Sequence, residues 1–414
     1  MSRNPRLPRP EPFATLPAPL APADVALIRA SLTVVEPRSE EMAVYFYAIL
    51  FLRHPEVRAL FPPDMDAQRD RLLRALLRIV DLVDDADNLV RFCSRLGRDH
   101  RKFGTLNAHY AAVGACLLDA LARFAGPAWN AELAGAWQRA YATASRTMML
   151  AADDDTRLRP ARWTARIVDH RRHGHGIAEV TVRTDEHYPY AAGQYVSVET
   201  PWWPRQWRSY SPANAPRPDS TMTFHVRAVP QGRVSTALVH QARPGDLLRL
   251  GPPEGDMTLP PDSRRDLLCV AGGTGLAPIK ALIEQVAAER SDREVALFIG
   301  ARTAQELYGL DDMLRMSQRH HWLSVRASVS HERIAGTEGS LPEVISEFGP
   351  WGGHEVFLSG PPGMVTAAAQ VLTERGVPRA RIHHDPLDVP VLDAPLQPAH
   401  LAEAELEEPP WPGP

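Results

Sequence analysis

The chain has 414 residues, 44% of them hydrophobic and 23% charged, with a net charge of -4 and a pI near 6.5. That length predicts two to four domains, and the near-balanced charge excludes the basic surface that a nucleic-acid partner requires. Three scattered cysteines, Cys93, Cys116 and Cys269, exclude a disulfide framework or a paired-cysteine zinc site and fit a reducing cytoplasm, the compartment expected here. No apolar run approaches the roughly 18 residues of a membrane span, and the N-terminus lacks an apolar signal region. Neither a membrane span nor secretion is expected.

In chain order, residues 1–22 hold seven prolines and read as a disordered tail. Residues 23–155 are helical in pattern. Leu72, Leu73, Leu76, Leu77, Val80 and Val83 recur at three- and four-residue steps, the stripe of an amphipathic helix. Residues 153–162, Asp-rich and then Arg/Pro-bearing, read as a linker. Residues 159–261 change to period two, and 180–182, 194–198 and 223–229 predict strands of an antiparallel barrel. Residues 262–390 alternate strand and helix. Strands at 267–271, 295–300, 324–330 and 356–359 predict a parallel sheet in an α/β domain. Residues 391–414 read as a second disordered, Pro- and acid-rich tail.

Two motifs carry chemistry. In Arg208-Ser209-Tyr210-Ser211, a strand tyrosine can lay its ring on an isoalloxazine, and an arginine two residues earlier can meet a phosphate with a bidentate fork. Alone, the same tyrosine reads equally as strand packing. Gly232, Val234 and Ser235 follow in a glycine turn at a helix start, where backbone N–H groups favour a pyrophosphate. Ser235 also reads as a plain N-cap. Tyr195, in Gly193-Gln194-Tyr195, completes the set. The second motif is Gly272-Gly273-Thr274-Gly275, with Pro278 opening a helix after a buried strand. Its glycines permit a sharp turn and close approach to a phosphate, although the spacing is not that of a dehydrogenase fingerprint. Ser359-Gly360 follows a second buried strand as its partner loop.

With these motifs in this order, residues 163–385 resemble the ferredoxin–NADP reductase superfamily, an FAD-binding barrel followed by a nicotinamide-binding α/β domain. The helical region then resembles the globin domain of flavohaemoglobins through Tyr47, Phe61, Gln68, Leu72, His100 and Tyr110. The resemblance implies a multidomain fold: an all-α globin at 23–155, the FAD barrel at 159–261 and the α/β domain at 262–390. It implies haem b, FAD and NAD(P)H as cofactors. His100 would be the axial ligand, with Phe61 and Leu72 against the porphyrin and Tyr47 and Gln68 on the distal side. Tyr110 and a carboxylate would bond the proximal histidine, and Asp153 falls closest to the family's carboxylate position. Asp385 belongs to the flavin edge.

The chain departs from the family at Ser359, where a cysteine is usual, and at Leu387, where an aromatic residue usually shields the flavin. It also carries Asp99 in place of a lysine, a reversed charge that favours ferric haem. The activity implied is nitric oxide dioxygenase, with dioxygen, nitric oxide and nicotinamide dinucleotide as small-molecule partners and a monomer expected. The alternatives are an oxygen- or nitric-oxide-binding or sensing globin with its own reductase, and an NAD(P)H diaphorase or peroxide reductase. Arg302 could meet a 2′-phosphate or simply solvent, so the choice between NADH and NADPH stays open.

Overall fold

The computed structural model describes residues 20–174, 176–289, 292–332 and 339–385. Leu387 and the tail expected at 391–414 lie outside them. Only residues 20–22 of the N-terminal tail are described, and Pro22 already opens a helix, at a position where a missing N–H costs nothing.

Among the described residues, six α-helices form the first unit: α1 (Pro22–Val35), α2 (Ser39–Arg53), α3 (Asp66–Asp81), α4 (Ala86–His100), α5 (Asn107–Ala125) and α6 (Ala131–Leu158). Asp85 caps α4 by accepting from Asn88 N at 3.2 Å, and Asn130 caps α6 by accepting from Leu133 N at 2.9 Å. Phe46, Leu50, Leu117, Leu121 and Trp137 join in one core. Leu89, Cys93, Tyr110 and Met148 form a second cluster around α4.

Two expectations are corrected here. Residues 107–128 are long and apolar enough to cross a membrane, so the chain does contain such a run. In the fold, Cys116, Leu117, Ala120 and Leu121 of α5 pack into the helical core, which accounts for the apolar composition. The supposed linker at 153–162 is helix as far as Leu158. Asp155 is buried there, accepting from the guanidinium of Arg101 and from Arg159 Nε at 2.8 Å. Asp155 is therefore a structural anchor tying the end of α6 to the residue after His100.

Next comes an antiparallel sheet of β1 (Trp163–His173), β2 (Ile177–Thr184), β3 (Tyr195–Thr200), β4 (Trp203–Tyr210) and β5 (Thr221–Arg227), then helix α7 (Arg233–His240) and β6 (Leu247–Glu254). The strand order is β4-β3-β6-β1-β2-β5. An antiparallel bridge between Pro212 and Phe224 brings the edges β4 and β5 together.

The last unit contains β7 (Leu267–Gly272), α8 (Leu276–Glu289), β8 (Val295–Ala301), α9 (Leu310–Arg319), β9 (Leu323–Val329), α10 (Leu341–Glu347), β10 (Glu355–Ser359), α11 (Pro362–Glu374) and β11 (Ile382–His383). Its sheet is parallel, in the order β11-β10-β7-β8-β9. β7 is buried along its whole length, as a strand covered on both faces must be.

Asp155→Ala would leave the Arg101 guanidinium buried without its carboxylate. It should destabilise the helical unit by about 3–5 kcal/mol, read as a lowered melting temperature for haem-region unfolding.

Candidate functional site

The first half of the site lies between α2, α3 and α4. A Cβ on Gly97 would come within 2.2 Å of the Met148 carbonyl oxygen, so glycine is what lets α4 cross α6 this closely. The crossing positions His100, the last residue of α4. Its Nδ1 lies 2.6 Å from the Leu96 carbonyl. A carbonyl only accepts, so Nδ1 carries the proton and Nε2 keeps its lone pair. Burial lowers the imidazole pKa, which keeps it neutral at pH 7. The rings of Phe103 and Tyr110 each lie 6.4 Å from it.

Tyr47 on α2 is buried, and Phe61 meets its ring edge-on at 5.5 Å. Gln68 on α3 donates from Nε2 to the Tyr47 hydroxyl at 3.4 Å, and that hydroxyl lies 3.4 Å from the Gln68 carbonyl. Both contacts are long, which leaves these groups able to serve another partner. Burial pushes the Tyr47 phenol up to about 12, so it remains a donor. Of the apolar α3 stripe only Val80 is buried, while Leu72, Leu73 and Leu76 are half-covered. A neutral, part-buried imidazole, a half-covered apolar stripe and two polar hydrogen-bonding groups fit a haem. Among the described residues no group of three or more His, Cys, Asp or Glu side chains could hold a bare ion instead.

The proximal network differs from expectation. Asp153 is exposed, and Asn107 Nδ2 donates to it at 3.4 Å. Nδ1 of His100 is engaged by Leu96, so Asp153 does not bond it. The helix turns Asp155, not Asp153, inward, and Asp155 is held by Arg101. Tyr110 stands beside the imidazole, with burial pushing its phenol up to about 12. Asp99 is not a lone reversed charge either. Buried Lys102 donates to it and, at 3.0 Å, to Ser197 Oγ on β3.

The second half of the site is a cleft of about 1050 Å³ between the sheets. Ser209, Tyr210 and Ser211 line it, with Gly272, Gly273, Thr274, Gly275 and Pro278 after β7, Ser359 and Gly360 after β10, and Asp385. The two sequence motifs thus meet in one place. Arg208, at the same end of β4, is part-buried and its pKa falls to about 10, through burial and the nearby Arg71. Tyr195, buried at the start of β3, takes a hydrogen bond from Arg95 and donates to Glu254 at 3.3 Å.

Gly232 precedes α7, and Ser235 Oγ donates to the Gly232 carbonyl at 3.1 Å. The Val234 side chain lies wholly within the barrel core, so only its backbone can face a cofactor. Asp385 has a buried carboxyl oxygen with no hydrogen-bond partner, and burial pushes its pKa up to about 6. That orphaned acceptor fits a flavin, whose ring and ribityl chain carry N–H and O–H donors. Sequence reading passed over His225, Arg227 and Glu306, which also line the cleft. Residues 223, 225 and 227 share one face of β5, and that alternation marks His225 and Arg227. Arg302 is held by Glu306, Nη2 to Oε1 at 2.6 Å.

Residues 44–148 match the Globin family, 165–259 the Oxidoreductase FAD-binding domain and 269–370 the Oxidoreductase NAD-binding domain. The chain is 36% identical over 231 residues to the xylene/toluene monooxygenase electron transfer component of Pseudomonas putida, an alignment covering 55% of this chain and 65% of that protein. It is 27% identical over 401 residues to the Flavohemoprotein of Bordetella pertussis, covering 88% of this chain and 97% of the relative. The flavohemoglobin structure from Malassezia yamatoensis shares the fold, with a TM-score of 0.74 and 21% identity over 89% of this chain and 99% of that one.

Two outcomes follow from the cleft. A Cβ on Gly275 would lie 2.5 Å from the Ser359 carbonyl oxygen. Gly275→Ala should therefore part the two loops, costing about 1–3 kcal/mol and weakening NAD(P)H binding in titrations while the haem spectrum stays the same. The folded chain favours neutral Asp385. Its contribution to stability is full below the unfolded value near 4 and is lost as pH rises through about 6. In denaturation of the cofactor-free chain, wild type should lose about 3 kcal/mol relative to Asp385→Asn between pH 4 and 7. Parallel pH curves would contradict this.

Proposed function

Because the chain belongs to the flavohaemoglobin family, a globin joined to FAD- and NAD-binding oxidoreductase domains, we propose that it is an NAD(P)H-dependent nitric oxide dioxygenase, converting nitric oxide and dioxygen to nitrate. The observation carrying this reading is the contact of Tyr47 on α2 with Gln68 on α3, in a chain that also carries FAD- and NAD-binding oxidoreductase domains. When bound, FAD converts the two-electron hydride of the nicotinamide into single electrons for haem iron, at which dioxygen and nitric oxide react.

The remaining roles belong to the chain. His100 would hold the haem iron through Nε2, and Leu96 fixes the tautomer that leaves this nitrogen free. Tyr47, protonated at any physiological pH, and the Gln68 amide are placed to donate to an anionic oxygen, each worth about 1.5–3 kcal/mol. Phe61, Leu72 and Leu76 keep water from that oxygen. Tyr210, Tyr195 and Asp385 orient the flavin. The glycine loop, with Arg227 close to Gly273, receives the pyrophosphate of the nicotinamide.

One observation favours a second reading, an oxygen-binding globin kept reduced by its own reductase. His100 gives its Nδ1 proton to a backbone carbonyl, which raises imidazole basicity less than a carboxylate would.

Loaded protein with NADH or NADPH in air should remove nitric oxide and form nitrate. Tyr47→Phe should raise the dioxygen dissociation rate about tenfold or more. Nicotinamide oxidation indifferent to added nitric oxide would sink the dioxygenase reading and leave the second.

A further inference from the structure

Tyr308 belongs to neither cofactor motif. It follows the turn after β8 that carries Arg302 and Glu306, both lining the cleft, and stands two residues before α9. From there it crosses to the flavin barrel, where its hydroxyl donates to Glu179 Oε1 on β2 at 2.9 Å. Glu179 is buried, and its other oxygen accepts from Arg171 on β1. His173 Nε2 lies 3.4 Å from Glu179 Oε1. The Tyr308 ring meets two imidazoles edge-on, His173 at 5.1 Å and His225 at 5.1 Å. Burial and the facing Glu179 carboxylate keep the phenol protonated, so it stays a donor.

The two units also meet around α8. Ala192 and Met257, from the barrel side, are buried in the core of the α/β unit with Ile279 and Leu282. Glu284 accepts from the Ala215 amide at 3.2 Å. Two bodies joined around one helix can still rock about it, and an attachment outside that helix removes the freedom. The Tyr308–Glu179 bond is such an attachment. It stands at the cleft wall, because His225, packed on Tyr308, also lines the cleft.

Hydride transfer depends steeply on approach. The hydrogen passes with both electrons from dihydronicotinamide to flavin, leaving oxidised nicotinamide and anionic reduced flavin. The reacting atoms must come within about 3–3.5 Å, and a misplacement of about 1 Å costs on the order of 100-fold. The α/β loops carry the nicotinamide and the barrel carries the flavin, so the relation between the two units sets this distance.

We propose that Tyr308 is a positioning residue for hydride transfer: its bond to Glu179 braces the α/β unit against the barrel and sets how closely nicotinamide and flavin approach. The proposal rests on the reductase half of the proposed function and is independent of the nitric oxide reaction.

The test uses full-length protein loaded with FAD and haem, as wild type, Tyr308→Phe and Glu179→Gln. Phenylalanine keeps the ring between the imidazoles and removes the donor, whereas glutamine keeps an acceptor for Tyr308. Flavin bleaching by NAD(P)H and by its 4,4-dideuterated form is followed anaerobically by stopped flow. Bleaching in wild type tests the reductase half by itself, so its failure is told apart from failure of the brace. In Tyr308→Phe the limiting rate should fall roughly 10- to 100-fold, with the isotope effect kept or enlarged. Half-saturating NAD(P)H should stay within about twofold of wild type. Glu179→Gln should bleach within roughly threefold of the wild-type rate. In the cofactor-free chain, amide exchange at residues 304–309 should quicken roughly tenfold in Tyr308→Phe and not in Glu179→Gln. An unchanged limiting rate in Tyr308→Phe would overturn the proposal. So would a loss expressed only as weaker NAD(P)H binding, which would make Tyr308 a nucleotide contact. A vanished isotope effect would also overturn it, because the slowed step would not be hydride transfer. An equal rate loss in Glu179→Gln would do the same, tracing the effect to charge.

Discussion

The architecture depends on one junction, the last two turns of α4 and the residues just after them. His100, the proposed haem ligand, closes α4 there. Arg95, one turn earlier, donates to Tyr195 and, at 3.1 Å, to Glu254, so it holds β3 and β6 together. Lys102, just beyond, donates to Asp99 and to Ser197 on β3. Phe103 meets Trp207 of β4 edge-on at 6.2 Å. A single short segment thus carries the proposed haem ligand and grips three strands of the flavin sheet. A largely buried ion pair such as Lys102–Asp99 adds little net stability, because desolvation offsets the attraction, yet removing one partner is expensive. The effect of the segment is geometric: the haem and flavin sites are held in fixed relation by side-chain contacts rather than by the connecting chain.

The nicotinamide side follows another constraint. β7 and β10 are parallel neighbours, so the loops leaving their carboxyl ends emerge side by side. Only glycine at 275 lets the Ser359–Gly360 backbone come this near. The barrel places Ser209–Ser211 against those loops, and one cleft serves both halves of hydride transfer. The pairing of Arg302 with Glu306 gives any 2′-phosphate a carboxylate competitor for that guanidinium.

Much of this was legible in the sequence because it depends on local rules. Period-two and period-3.6 patterns marked the sheet strands and α3, and the glycine loops announced themselves between a buried strand and a helix. What was hidden depends on partners distant in sequence. Asp155 looks like its exposed neighbours Asp153 and Asp154 until Arg101 folds onto it. Asp99 looks like a reversed charge until Lys102, a turn away, is seen buried against β3. Val234 sits in a motif that points to a phosphate, but its strand-facing position sends the side chain into the barrel core. α5 has the composition of a membrane span because it crosses the middle of a helical core.

The central claim is that electrons pass from nicotinamide through flavin to haem within one chain, across the α4 junction. Anaerobic stopped-flow mixing of the loaded protein with NAD(P)H tests it directly, following flavin bleaching and the haem Soret band at several protein concentrations. Flavin should be reduced first, and haem should follow with a rate constant independent of protein concentration. Haem reduction that scales with protein concentration, or haem that stays ferric after the flavin bleaches, would contradict it.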